Sequence, residues 1–184
     1  MKPLLALCAL LAALLQTPHP AWGASLRPMT TLTSGIVRLS DLFDDAGPDA
    51  ARVLGPAPAP GARIVVQAAQ LAAIARQFGV DWRPSSPGDR IVLDRPGQLL
   101  DRAATLATLR TALTAVGAPD DADIDLPGFA APLIPLGAKP ALAVEQLDYQ
   151  DGAGHFTAQL LVTATGMQPL RLRVAGTVQQ MLSL

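Results

Sequence analysis

The chain predicts an α+β protein: a small mixed sheet with two helices, followed by an antiparallel β meander. Two observations carry this. Apolar residues recur at helical spacing twice in the first two-thirds, at Leu71, Ile74, Ala75 and Phe78 and again at Leu106, Leu109, Leu113 and Val116. In the last third they alternate with polar residues, as in Ala158, Leu160, Val162 and Ala164 against Thr157, Gln159, Leu161 and Thr163.

Residues 1–23 read as a secretory signal peptide. Lys2 supplies one positive charge, Leu4 to Leu15 is unbroken apolar, and Pro18, His19 and Pro20 end any helix before Ala21-Trp22-Gly23. Such a run spans about 18 Å as a helix, short of the roughly 30 Å of a bilayer core. Cleavage is therefore expected after Gly23 or Ala24, with no stable membrane anchor left behind. Cys8, preceded by Leu7, lacks the small neighbour of a lipid-anchor cysteine.

Residues 24–35 are rich in Thr, Ser and Gly and read as a flexible lead-in. The region 36–131 then opens with a strand at Ile36–Leu39 and a helical turn capped by Ser40. Gly55-Pro56-Ala57-Pro58-Ala59-Pro60-Gly61 is a stiff extended connector, since each Pro lacks a donor and holds its predecessor extended. Arg63–Val66 predicts a strand, and the first helix ends at Gly79. Val80–Arg83 and Arg90–Asp94 predict short strands split by Pro84-Ser85-Ser86-Pro87-Gly88. The second helix starts at Leu100 or Asp101 and ends at Val116, where Gly117 and Pro119 stop it. The region 132–184 is the meander. Its strands centre on Leu142–Tyr149, Phe156–Ala164 and Leu170–Val178, with Gly152, Gly154 and Gly166 in the turns.

Composition narrows the chemistry. Beyond the leader there is no cysteine, one histidine (His155) and one lysine (Lys139), so neither a disulfide nor a clustered zinc or copper site is expected. The 14 basic and 15 acidic residues leave a net charge of −1, which argues against electrostatic binding of nucleic acid. Asp121, Asp123 and Asp125 open like a calcium loop, but Leu126 and Pro132 occupy its turn-glycine and bidentate-carboxylate positions. A nucleophile elbow and a phosphate-binding glycine loop are both missing. The expectation is a non-enzyme without metal or cofactor, working by contact. Trp82 and Arg83 are residue types favoured at interface centres. With Tyr149 they are the candidate partner contacts.

Four blocks, in this order, carry a resemblance. They are Val37-Arg38-Leu39-Ser40-Asp41-Leu42-Phe43 with the Pro-rich run after it, Phe78-Gly79-Val80-Asp81-Trp82-Arg83-Pro84, Leu126-Pro127-Gly128-Phe129, and Phe156-Thr157-Ala158 with Leu170-Arg171-Leu172-Arg173-Val174-Ala175-Gly176. Behind a signal peptide, they resemble the N-terminal part of the flagellar basal-body P-ring formation proteins. The resemblance implies a periplasmic chaperone that binds the P-ring subunit without catalysis. Members of that family continue into a small β domain like those of sialic-acid synthases and antifreeze proteins, which this sequence, ending at Leu184, does not contain. Two other expectations compete: a truncated or orphan exported fragment without activity of its own, and an envelope carbohydrate hydrolase using an Asp pair such as Asp81 and Asp94.

Overall fold

A computed structural model of the chain describes residues 23–179, so residues 1–22 of the expected signal peptide and residues 180–184 lie outside the described residues. The strands are β1 (Ser25–Leu26), β2 (Met29–Thr31), β3 (Ile36–Arg38), β4 (Phe43–Asp44), β5 (Val53–Pro56), β6 (Arg63–Gln67), β7 (Arg90–Asp94), β8 (Gly97–Leu99), β9 (Asp123–Asp125), β10 (Leu133–Pro135), β11 (Ala141–Gln150), β12 (His155–Thr163) and β13 (Leu170–Gln179). The helices are α1 (Ala68–Gln77) and α2 (Arg102–Ala115). The fold is α+β, with mostly antiparallel strands.

The first half gathers round a mixed three-stranded sheet in the order β2-β7-β6, with β2 parallel and β6 antiparallel to β7. Ile91 and Leu93 point from β7 into a core completed by Leu71 and Ala75 of α1 and by Leu39, Leu42 and Phe43. Gln70 caps α1 by accepting a hydrogen bond from the Gln67 N–H at 3.1 Å. Beyond its end, the Val80 N–H donates to the Ala75 carbonyl at 2.9 Å, which closes the helix on Gly79 at φ +65°.

The meander forms as the alternation requires. Its sheet runs β11-β12-β13-β9, antiparallel throughout. Phe156, Ala158, Leu160 and Val162 on β12 are all buried, as is Val174 on β13. The register shifts between Val144 and Gln146, which leaves Glu145 as a bulge. The bulge has a clear cause. Leu142 and Val144 face inward at even positions, Leu147 and Tyr149 at odd ones, and one extra residue brings both pairs onto the same face.

Several expectations change. Residues 24–35 are not a featureless lead-in. β1 pairs with β4, β2 lies beside β7, and the Leu32 N–H donates to the Asp94 carbonyl at 2.8 Å. Val80–Arg83 is not a strand, because the Val80 N–H completes the helix end and Pro84 removes a donor just beyond. Ser40 does not cap the turn at Leu39–Asp41. Asp41 does, accepting the Arg38 N–H at 2.6 Å. Val116 is exposed rather than buried, since the chain leaves α2 there and Ala118 turns back to the core.

α2 packs against the meander, not the first sheet. Leu109 and Leu113 share a core with Ile124, Leu126, Phe156, Leu160 and Val174. The division expected at residue 131 therefore falls inside one packing unit, because α2 and β9 join the strands after it. The N-terminus of α2 is held by Asp101, whose carboxylate accepts the Ala103 and Ala104 N–H groups at 3.0 and 3.3 Å. β8 and β10 pair as a two-stranded ribbon, and Leu100, Ile134 and Val162 form a small core joining that ribbon to the meander.

Candidate functional site

The candidate contacts separate into two places. Trp82 and Arg83 line a groove of about 650 Å³ with Ala24, Leu26 and Arg90. The groove exists because the Ala24 N–H donates to the Asp81 carbonyl at 3.1 Å, laying the start of the described chain against the segment after α1. Trp82 is half-buried, its ring 5.4 Å from that of Phe43 and inclined at 51°. That contact seats the indole on the first core and leaves part of it facing the groove, while Arg83 is exposed.

Tyr149 belongs to the other half. It stands on β11 opposite Phe156, packs against the meander core, and donates its hydroxyl to Asp151 at 3.4 Å. Partial burial, then the Asp151 charge, raises its pKa above the ordinary phenol value. The three candidates therefore do not form one site. Trp82 and Arg83 share the groove, and Tyr149 stands on a strand of the second core.

The same separation holds for the two carboxylates. Asp81 lines the groove, whereas Asp94 sits at the far end of β7 from Arg90 and faces Arg63 at 3.5 Å. Asp123 and Asp125 are exposed on β9 opposite Gln179 and Thr177, so they form a strand edge. His155 is exposed at the start of β12. Among the described residues no group of three or more His, Cys, Asp or Glu side chains converges as a metal site requires, and no helix is long and apolar enough to cross a membrane.

Sequence reasoning missed the most organised polar surface. On the solvent face of the meander, Glu145 accepts two hydrogen bonds from the Arg171 guanidinium, at 2.7 and 3.1 Å. Gln159 on β12, between them, donates to Glu145 at 3.4 Å. The Arg171 hydrogen bonds hold the Glu145 carboxyl below its ordinary range, and the same contacts raise Arg171. The broken alternation at Val144-Glu145-Gln146-Leu147 is the signal that could have marked the bulge.

Arg95 was missed too, although its phase is legible. Ile91, Leu93 and Arg95 share one face of an extended chain, and all three are buried. Nη1 donates to the Pro58 carbonyl at 2.9 Å and Nη2 to the Gly166 carbonyl.

β11 forms the outer edge of its sheet, a ten-residue strand with β12 on one side and no strand on the other among the described residues. An unpaired edge of that length offers a row of backbone donors and acceptors to another extended chain. No protein-family model, curated protein or solved structure matches the chain.

Proposed function

We infer that the protein is a periplasmic assembly chaperone for the P-ring subunit of the flagellar basal body, exported by a cleaved signal peptide and acting by protein binding without catalysis or cofactor. The observation that carries the binding part of this reading is β11. It is long and lies at a sheet edge, and its inward side chains are committed to the core. Strand addition at such an edge supplies main-chain hydrogen bonds, while side chains beside it set specificity. The choice of partner rests on the resemblance that the ordered sequence blocks carry. Three of them sit at structurally distinct places: the groove segment at Trp82 and Arg83, the buried turn at Leu126, and the β12–β13 pair.

The test is capture of the P-ring subunit by the purified mature protein, together with deletion of the gene. The expected outcome is a direct complex and a non-swimming strain whose basal bodies lack P rings. Normal motility in the deletant, or no complex at micromolar concentrations, overturns the reading.

A further inference from the structure

We propose that the α-ammonium group created when the leader is cut after Gly23 is captured by Asp81, so that processing supplies the anchor of the first strand. The proposal rests on the cleaved signal peptide of the preceding reading and on no other part of it. Cleavage after Gly23 puts small residues, Ala21 and Gly23, at the two positions a signal peptidase reads. Cleavage after Ala24 puts Trp22 at one of them and discards the Ala24 nitrogen. In the favoured cut, water adds its hydroxyl to the Gly23 acyl carbon and a proton to the Ala24 nitrogen. The proton of the resulting carboxylic acid completes the ammonium.

The receiving side is already built. The Ala24 N–H donates to the Asp81 carbonyl at 3.1 Å. A Cβ placed at Gly23 would lie 3.2 Å from that carbonyl oxygen and 3.9 Å from Asp81 Oδ2, so both oxygens border the space that Gly23 occupies. Three covalent bonds separate that Cβ position from the Ala24 nitrogen, which puts Oδ2 less than about 8 Å from it. No ion pair of the described residues includes Asp81. Cleavage turns one amide donor into a cation with three. One donor keeps the carbonyl, and two are left for the carboxylate and for water. Other charges stand near. Arg83, Asp89 and Arg90 line the same groove, and Arg27 of β1 pairs with Asp44 of β4 at 2.6 Å. The Asp89 carboxylate is committed to Ser85 and Ser86. Of the four charged groove residues only Asp81 lies within 4 Å of the Gly23 Cβ position, so it decides the sign of the field there.

The anchor matters because β1 has only two residues. Its far end is held by the Arg27 N–H on the Leu42 carbonyl at 3.0 Å, and its near end by the Ala24–Asp81 contact. Ala24 is half-buried against the first core, and the same segment walls the groove beside Trp82.

The test uses the protein exported with its own leader, its D81N variant and the free peptide Ala-Ser-Leu-Arg-Pro-amide. N-terminal sequencing should begin at Ala24. NMR titration should show the α-amine holding its proton about two- to fivefold more tightly in the protein than in the peptide, the range of an exposed ion pair. D81N keeps the main-chain carbonyl and should remove that difference. A form beginning at Ser25 loses the Ala24 donor and should melt about 2–4 °C lower. A terminus other than Ala24 overturns the proposal, and a retained Met1 overturns the export reading with it. An α-amine held no more tightly than in the peptide, or unchanged by D81N, overturns the anchor while leaving export intact.

Discussion

The guanidinium of Arg95 donates to the backbone carbonyl of Gly166, across 71 positions of sequence. This joins the end of β7 to the turn between β12 and β13, and so links the two halves of the molecule. Its other arm reaches Pro58, which ties the Pro-rich connector to the same point. Replacing Arg95 by Met relieves a buried charge but strands two carbonyls. Gly166 itself lies in an exposed turn, so the loss is bounded. Urea unfolding of R95M should show a loss of about 1–3 kcal/mol. An unchanged midpoint would mean that relief of the charge cancels the lost donors.

Leu71 and Leu160 are both fully buried, in different cores. Truncating either to Ala removes apolar area and leaves a cavity, so each should cost about 2–5 kcal/mol in denaturant unfolding. A value below about 1 kcal/mol at either site would show that its surroundings collapse freely, contrary to the packing described.

Gly176 stands where no larger residue fits. A Cβ there would lie 2.8 Å from the Phe156 ring and closer still to the Asp125 carbonyl, which is backbone and cannot rotate away. G176A should therefore cost about 1–3 kcal/mol. It should also loosen β9, seen as faster amide exchange across the Thr177–Asp125 pairing. Unaltered exchange there would argue against the close approach.

Asp89 accepts hydrogen bonds from the Ser86 N–H at 3.1 Å and from the Ser85 hydroxyl and N–H at 3.0 and 2.7 Å. The Ser86 contact is the largest of the three causes that lower its pKa. A carboxyl lowered in the folded state contributes stability above its unfolded value and loses it as pH falls through the folded one. The loop after Trp82 should therefore stay ordered through the ordinary carboxylate range near pH 4 and loosen below it. A carboxyl 13C titration checks this, and a midpoint at or above the ordinary Asp value would contradict it. Glu145 should behave likewise and move toward its usual range in R171Q, which removes the guanidinium, the largest cause that lowers it.

Lysine is the residue with which sheet edges are protected from pairing. A143K together with D148K places two lysines on exposed positions of β11. The pair should leave unfolding within about 0.5 kcal/mol, as surface changes do, while abolishing the proposed capture of the P-ring subunit. Retained capture would remove β11 from the binding surface.

Local periodicity alone determined the two helices and the three meander strands, because the burial of one face imposes a repeat that a short window reveals. The same repeat, read more closely, holds the Glu145 bulge and the buried phase of Arg95. The strands of 24–35 and the ribbon of β8 with β10 were not legible. They are two or three residues long, and such pieces are strands only because a distant partner supplies their hydrogen bonds. For the same reason tertiary structure decided that α2 packs on the meander, that Trp82 and Tyr149 stand apart, and that one arginine joins two cores. Which faces meet depends on contacts between residues far apart in the chain, and no local pattern encodes them.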